Sequence, residues 1–134
     1  MIRHWIEYVA VRAVVGLVRV LPFRAVEACG TALGRAFYLL DGKHRRVAER
    51  NVAATFPARP DPERRAIVQQ AFEHFGRLLF ALLKFGTLSP EEMLGRVEFE
   101  GEERVRSAYA QGRGVLFVTG HFGYWELQAL VHGQ

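Results

Sequence analysis

The spacing of hydrophobic positions along this chain changes twice, and each change predicts a different element. Residues 5–21 (WIEYVAVRAVVGLVRVL) are apolar almost throughout, interrupted by Glu7, Arg12 and Arg19. Pro22 lacks an N–H and restrains the residue before it, so it ends that first helix. Val26, Cys29, Leu33, Phe37 and Leu40 then recur close to the 3.6-residue period, which predicts a second helix over 24–40. Asp41-Gly42 reads as a turn, and a third helix over 43–56 stops before Pro57. After the rigid connector 57–60 (PARP), Asp61 is expected as an N-cap with Pro62 at the first helical position. A long helix follows to residue 85, with Gly86 as its stop. Its Ile67, Phe72, Phe75, Leu78, Leu79, Leu82 and Phe85 read as core rather than as a ligand box. Ser89-Pro90-Glu91-Glu92 is a capping box for a short helix, with the serine at one end and Glu92 reaching back to it.

From residue 96 the pattern shortens. Val97-Glu98-Phe99-Glu100 alternates at period two, as a half-exposed strand does. Residues 101–111 suit a helix ending at Gly112, and the run 114–119 (GVLFVT) is continuously apolar, the mark of a strand buried on both faces. Residues 126–132 read as helix again. Strand, helix, buried strand, loop and helix open an α/β sheet, so the predicted fold class is α/β, with helices followed by the start of a sheet. A strand apolar on both faces needs neighbours on both edges, and a two-stranded unit is marginal in water. The sheet is therefore expected to be incomplete in this chain, and 115–119 to keep an unpaired edge or an exposed apolar face.

Composition narrows the class. With 50% apolar and 24% charged residues the chain is neither disordered nor a polytopic membrane protein. A single cysteine, Cys29, excludes an internal disulfide and any multi-cysteine metal site. Residues 1–60 hold ten Lys/Arg against four Asp/Glu, whereas residues 61–134 hold eight against ten. Basic charge beside the most hydrophobic segment points to anionic lipid headgroups before nucleic acid, with a solvated basic face as the alternative. Residues 5–21 are at the short end for a membrane span, and their charges make spanning costly. A helix lying in the interface, or a short tilted anchor with snorkelling arginines, fits better; a buried helix of a soluble domain is the alternative. Charges within the apolar stretch argue against a cleaved signal peptide.

The candidate chemistry lies at the end of the buried run, in TGHFGYWEL (residues 119–127). Ligands of open α/β sheets bind beyond the carboxyl ends of strands, and His121 stands two residues past Thr119. Residues five apart do not share a helix face, so His121 and Glu126 meet only if the histidine is in a loop and the glutamate in or near a first helical turn. Gly120 and Gly123 make such a loop easy. A neutral imidazole oriented by a carboxylate is a general base. No serine or cysteine stands nearby, so the histidine would activate a hydroxyl of the substrate. A zinc site needs three or four ligands, and His121, Glu126 and His132 have no known metal spacing, so no metal is expected. A helix-capping histidine is the structural alternative, and His-x4-Glu alone does not exclude it.

The run RGVLFVTGHFGYWEL (residues 113–127) resembles the bacterial lipid A biosynthesis acyltransferases, the lauroyl and myristoyl transferases with a His-x4-Asp/Glu signature. RRVAERN (residues 45–51) followed by Phe56-Pro57, and VEFEGEE (residues 97–103), are similar to further stretches of that family, in order and at plausible spacing. The resemblance implies residues 1–42 as a membrane-associated helical segment and 43–134 as the N-terminal part of an acyltransferase domain. It implies transfer of a fatty acyl chain from acyl carrier protein to a hydroxyl of a glycolipid, at the cytoplasmic face of the inner membrane. His121 would be the base and Glu126 its partner, with Gly123, Tyr124 and Trp125 against the substrate and no cofactor. The acceptor implied is a lipid A precursor; Tyr124 stands where the family usually has asparagine, and if that side chain contacts the acceptor, the alternative is another glycolipid such as a phosphatidylinositol mannoside. A non-catalytic, membrane-associated fragment is the reading from another class.

Overall fold

The computed structural model describes residues 2–120 and 123–132. These form α1 (Ile2–Val20), α2 (Phe23–Leu40), α3 (Gly42–Thr55), α4 (Asp61–Phe85), α5 (Pro90–Leu94), α6 (Glu102–Ala110) and α7 (Trp125–His132). Contacts divide the chain into two units, Met1–Thr87 and Leu88–Gln134.

In the first unit the helix ends follow local chemistry. Pro22 holds an extended conformation (φ −67°, ψ 153°) between α1 and α2. Asp41 serves both of its neighbours: its N–H bonds the Phe37 carbonyl at 2.8 Å, and its carboxylate accepts from the His44 N–H at 3.1 Å. The His44 ring also lies 2.7 Å from that carboxylate. The backbone N–H of His44 first, then its ring, hold the Asp41 carboxyl below its ordinary range. Pro60, rather than Asp61, is the N-cap of α4, and Asp61 and Glu63 lie in the first turn, where the helix dipole favours negative charge.

The core of this unit is an antiparallel pairing of α2 with α4. The Phe23 and Phe85 rings meet at one end (5.5 Å between centroids), and Tyr38 meets Phe72 toward the other (5.8 Å). Between them the helices touch through buried Gly30, Gly34 and Gly76. Here the expected core face is corrected. Val26 is fully buried as predicted, but Phe37, Leu40, Phe75 and Leu79 are exposed. A face of glycines lets two backbones approach, and the large side chains then lie beside the seam and not in it.

Two charged side chains are buried at the seam, and both are partnered. Glu73 accepts from Arg35 Nε at 2.8 Å and from Gln69 Nε2 at 2.9 Å. Lys84 donates to the Arg19 carbonyl at 2.7 Å and lies over the Phe23 ring, 5.8 Å from its centroid. This ties the end of α1 to α4. Val18 of α1 is buried, and Trp5, Ile6, Val9 and Leu17 are exposed. Among the described residues no helix is long and apolar enough to cross a membrane.

In the second unit the predicted capping box is present: the Glu92 N–H bonds Ser89 Oγ at 3.2 Å, and the Ser89 N–H bonds Glu92 Oε2 at 3.0 Å. Gly101 opens α6 at φ +80°, a left-handed conformation costly for any other residue. Helices α5 and α7 pack together, burying Met93 and Val131. The α/β expectation is overturned: the described residues contain no strand and no sheet, and regular structure is all-helical. Residues 97–99 and 114–120 carry strand-like patterns but are irregular. A strand exists only through a ladder with a partner, and none forms here. Leu116 and Val118 are consequently 88% and 89% exposed.

Candidate active site

The candidate site is built on the start of α7. Gly123 turns the chain into that helix at φ +62°, where a side chain would be strained. The Tyr124 carbonyl accepts from the N–H groups of Leu127 (3.0 Å) and Gln128 (3.4 Å), closing the first turn. Trp125 and Glu126 are the first two helical residues, both half-buried. The carboxylate of Glu126 therefore sits at the positive end of the helix dipole. On the other side of the loop, the Thr119 hydroxyl donates to Gln128 Oε1 at 3.3 Å.

Thr119 and Tyr124 are thus both hydrogen-bonded to α7. The structure brings Gly123, Tyr124, Trp125 and Glu126 together at one helix start. His121 and Phe122 lie outside the described residues. Among the described residues no group of His, Cys, Asp and Glu is arranged to hold a metal ion.

An open groove of about 690 Å³ runs beside this helix. Its apolar wall includes Phe99, Tyr109, Phe117, Tyr124, Leu127 and Val131, while Glu98, Glu102 and Arg106 supply charge. Arg106 is held by Glu102, with its Nε 2.9 Å from Glu102 Oε1. Groove and helix start share Tyr124, the one predicted substrate-contact residue among those lining it. Phe99, Tyr109 and Phe117 were not singled out from sequence, because they sit on three separate segments that only folding juxtaposes. An apolar, aromatic-walled groove of this size accepts an aliphatic chain or a flat apolar group.

The profile of the family described as bacterial lipid A biosynthesis acyltransferase matches residues 1–134. The chain belongs to that family. It is similar to the lipid A biosynthesis lauroyltransferase of Escherichia coli K12, 31% identical over 134 residues that cover 98% of this chain and 42% of the relative. The lipid A biosynthesis myristoyltransferase of the same organism is 28% identical over 120 residues, covering 89% of this chain and 36% of the relative. Lipid A biosynthesis acyltransferase 1 of Shigella flexneri has the same identity and coverage. The chain thus spans about two-fifths of the length of these family members. No solved structure matches it significantly.

Proposed function

We propose that this chain forms the N-terminal part of an acyltransferase that moves a fatty acyl group from acyl carrier protein to a hydroxyl of a lipid A precursor. The observation that carries this reading is the family match over residues 1–134, which includes the HFGYWEL segment. In the proposed reaction His121 takes the proton of the acceptor hydroxyl as its oxygen attacks the thioester carbonyl carbon. The tetrahedral intermediate collapses with loss of the carrier thiolate, which receives the proton back from the imidazolium. The products are an ester and a free thiol. Glu126 orients the imidazole and stabilises its charged form. The place of Glu126 in the first turn of α7, directly after the left-handed Gly123, supports the role given to this carboxylate.

Tyr124, where the family usually has asparagine, lines the groove, so another glycolipid acceptor is the second reading, which the assay separates from a lipid A precursor. The reading includes attachment to the cytoplasmic face of the inner membrane through α1, whose exposed apolar side chains support it. The deciding experiment uses the full-length protein, radiolabelled acyl carrier protein and a panel of glycolipids. His121→Ala abolishes transfer while leaving membrane attachment intact; near-normal turnover in that variant sinks the mechanism. Deleting residues 1–21 releases the protein from membranes, and persistence of the deletant there sinks the anchor.

A further inference from the structure

The basic residues of α3 divide into two sets. On one side, Arg45 is fully engaged: it donates to the Tyr38 carbonyl at 2.9 Å, lies over the Tyr38 ring and faces Glu49 at 3.8 Å. On the other side, Lys43, Arg46 and Arg50 are exposed, and among the described residues none has an ion pair or a side-chain hydrogen bond. Their spacing of three and four residues puts them in one row. They border a shallow depression of about 570 Å³ shared with Val47, Glu49 and Ala53. The nearby acids are committed elsewhere, Asp41 to capping α3 and Glu49 to Arg45. At the head of the row, α2 ends in Leu39 and Leu40, which are 69% and 85% exposed.

We propose that this face of α3 is a second membrane contact, in which Lys43, Arg46 and Arg50 bind the phosphates of anionic phospholipids and Leu39 and Leu40 enter the headgroup boundary. Unpaired cations flanking exposed leucines are the composition of an interfacial contact, in which charge selects the surface and apolar side chains enter it. The proposal rests on the membrane attachment through α1 proposed above. Once α1 is in a bilayer, headgroups are presented to α3 at high effective concentration, which an independent acidic protein does not match. The α1 end of α4 and the start of α3 lie at opposite ends of α2, about 25 Å apart at 1.5 Å per residue. One bilayer touching both therefore lies along the α2–α4 pair.

The test is flotation of the full chain with vesicles of phosphatidylcholine alone, and with vesicles of three parts phosphatidylcholine to one part phosphatidylglycerol. The wild type is expected to bind the anionic vesicles on the order of a hundredfold more tightly at low salt, from three cations near the surface. Lys43→Gln/Arg46→Gln/Arg50→Gln loses that increment and binds neutral vesicles as the wild type does. A charge-matched control, Arg59→Gln/Arg104→Gln/Arg113→Gln, keeps most of the increment. Circular dichroism and thermal melting check that each variant is folded. Retention of the increment by the α3 variant, or equal loss in the control, overturns the proposal. So does a variant that loses affinity for polyglutamate but keeps the vesicle increment, because the face then reads protein. Failure of the wild type to bind neutral vesicles condemns the α1 anchor instead, leaving the anionic increment as a separate reading of α3.

Discussion

Gly30 and Gly76 meet backbone to backbone: a Cβ placed on Gly30 would lie 2.5 Å from the Gly76 carbonyl oxygen and 2.9 Å from Arg77 Cα. The neighbouring Gly34 has the same restriction, with Glu73 Cα at 2.7 Å from a Cβ placed there. The obstacles are backbone atoms, which cannot swing aside, so a methyl group here forces the helices apart.

Gly30→Ala and Gly76→Ala are accordingly expected to destabilise the first unit by about 1–3 kcal/mol each, the usual cost of overpacking. This outweighs the gain of up to about 1 kcal/mol that alanine brings to a helix interior. Gly16 on α1 has open space around the same position. Gly16→Ala should therefore stabilise slightly or do nothing. Chemical denaturation of the three variants gives the comparison, and equal effects at all three sites would contradict the close crossing.

Stability should also depend on Glu73. Gln69 first, then Arg35, donate hydrogen bonds that hold its carboxyl below the ordinary glutamate value, against the opposing effect of burial. A group whose value is depressed by folding contributes stability that is fully present above its unfolded value. That stability is lost as pH falls through the folded one. Melting temperature should thus fall on acidification below the ordinary glutamate range, and Glu73→Gln should flatten that part of the profile. An unchanged acid limb in Glu73→Gln would place the responsible carboxylate elsewhere.

Lys84 joins α1 to the α2–α4 pair through the Arg19 carbonyl. Lys84→Met keeps the aliphatic stem but removes the donor, leaving that carbonyl without its partner at a cost of about 1–3 kcal/mol. Hydrogen exchange should accelerate at residues 18–21 more than along α4. Uniform acceleration throughout the unit would show that Lys84 supports the whole packing and not this attachment.

For the proposed chemistry, Glu126→Ala in the full-length protein should slow transfer less than His121→Ala does, on the order of a hundredfold, because the base remains while its orientation is lost. Gln128→Leu removes one of the two acceptors of the Thr119 hydroxyl, leaving the Gly120 carbonyl, and should lower turnover with little change in stability. Single-turnover transfer assays of the variants make the ranking measurable. A larger loss in Glu126→Ala than in His121→Ala would reverse the assigned roles.

The sequence by itself determined where helices begin and end. Pro22 and the Ser89–Glu92 box act within four residues and stand where the patterns put them, whereas Asp41, read as part of a turn, caps α3, and the N-cap of α4 is Pro60 in place of Asp61. The His-x4-Glu signature was legible as a motif, and with its flanking segments it pointed to the family that the comparison shows. Only the tertiary structure decided which helix faces meet. An apolar period marks a surface able to be buried, whereas Gly30, Gly34 and Gly76 mark where backbones can approach, and that choice depends on a helix some forty residues away. The strand patterns at 97–100 and 115–119 depended on distant partners too. Alternation and continuous hydrophobicity describe how a strand would bury its side chains, but the ladder that makes it a strand belongs to two segments at once, and none forms among the described residues.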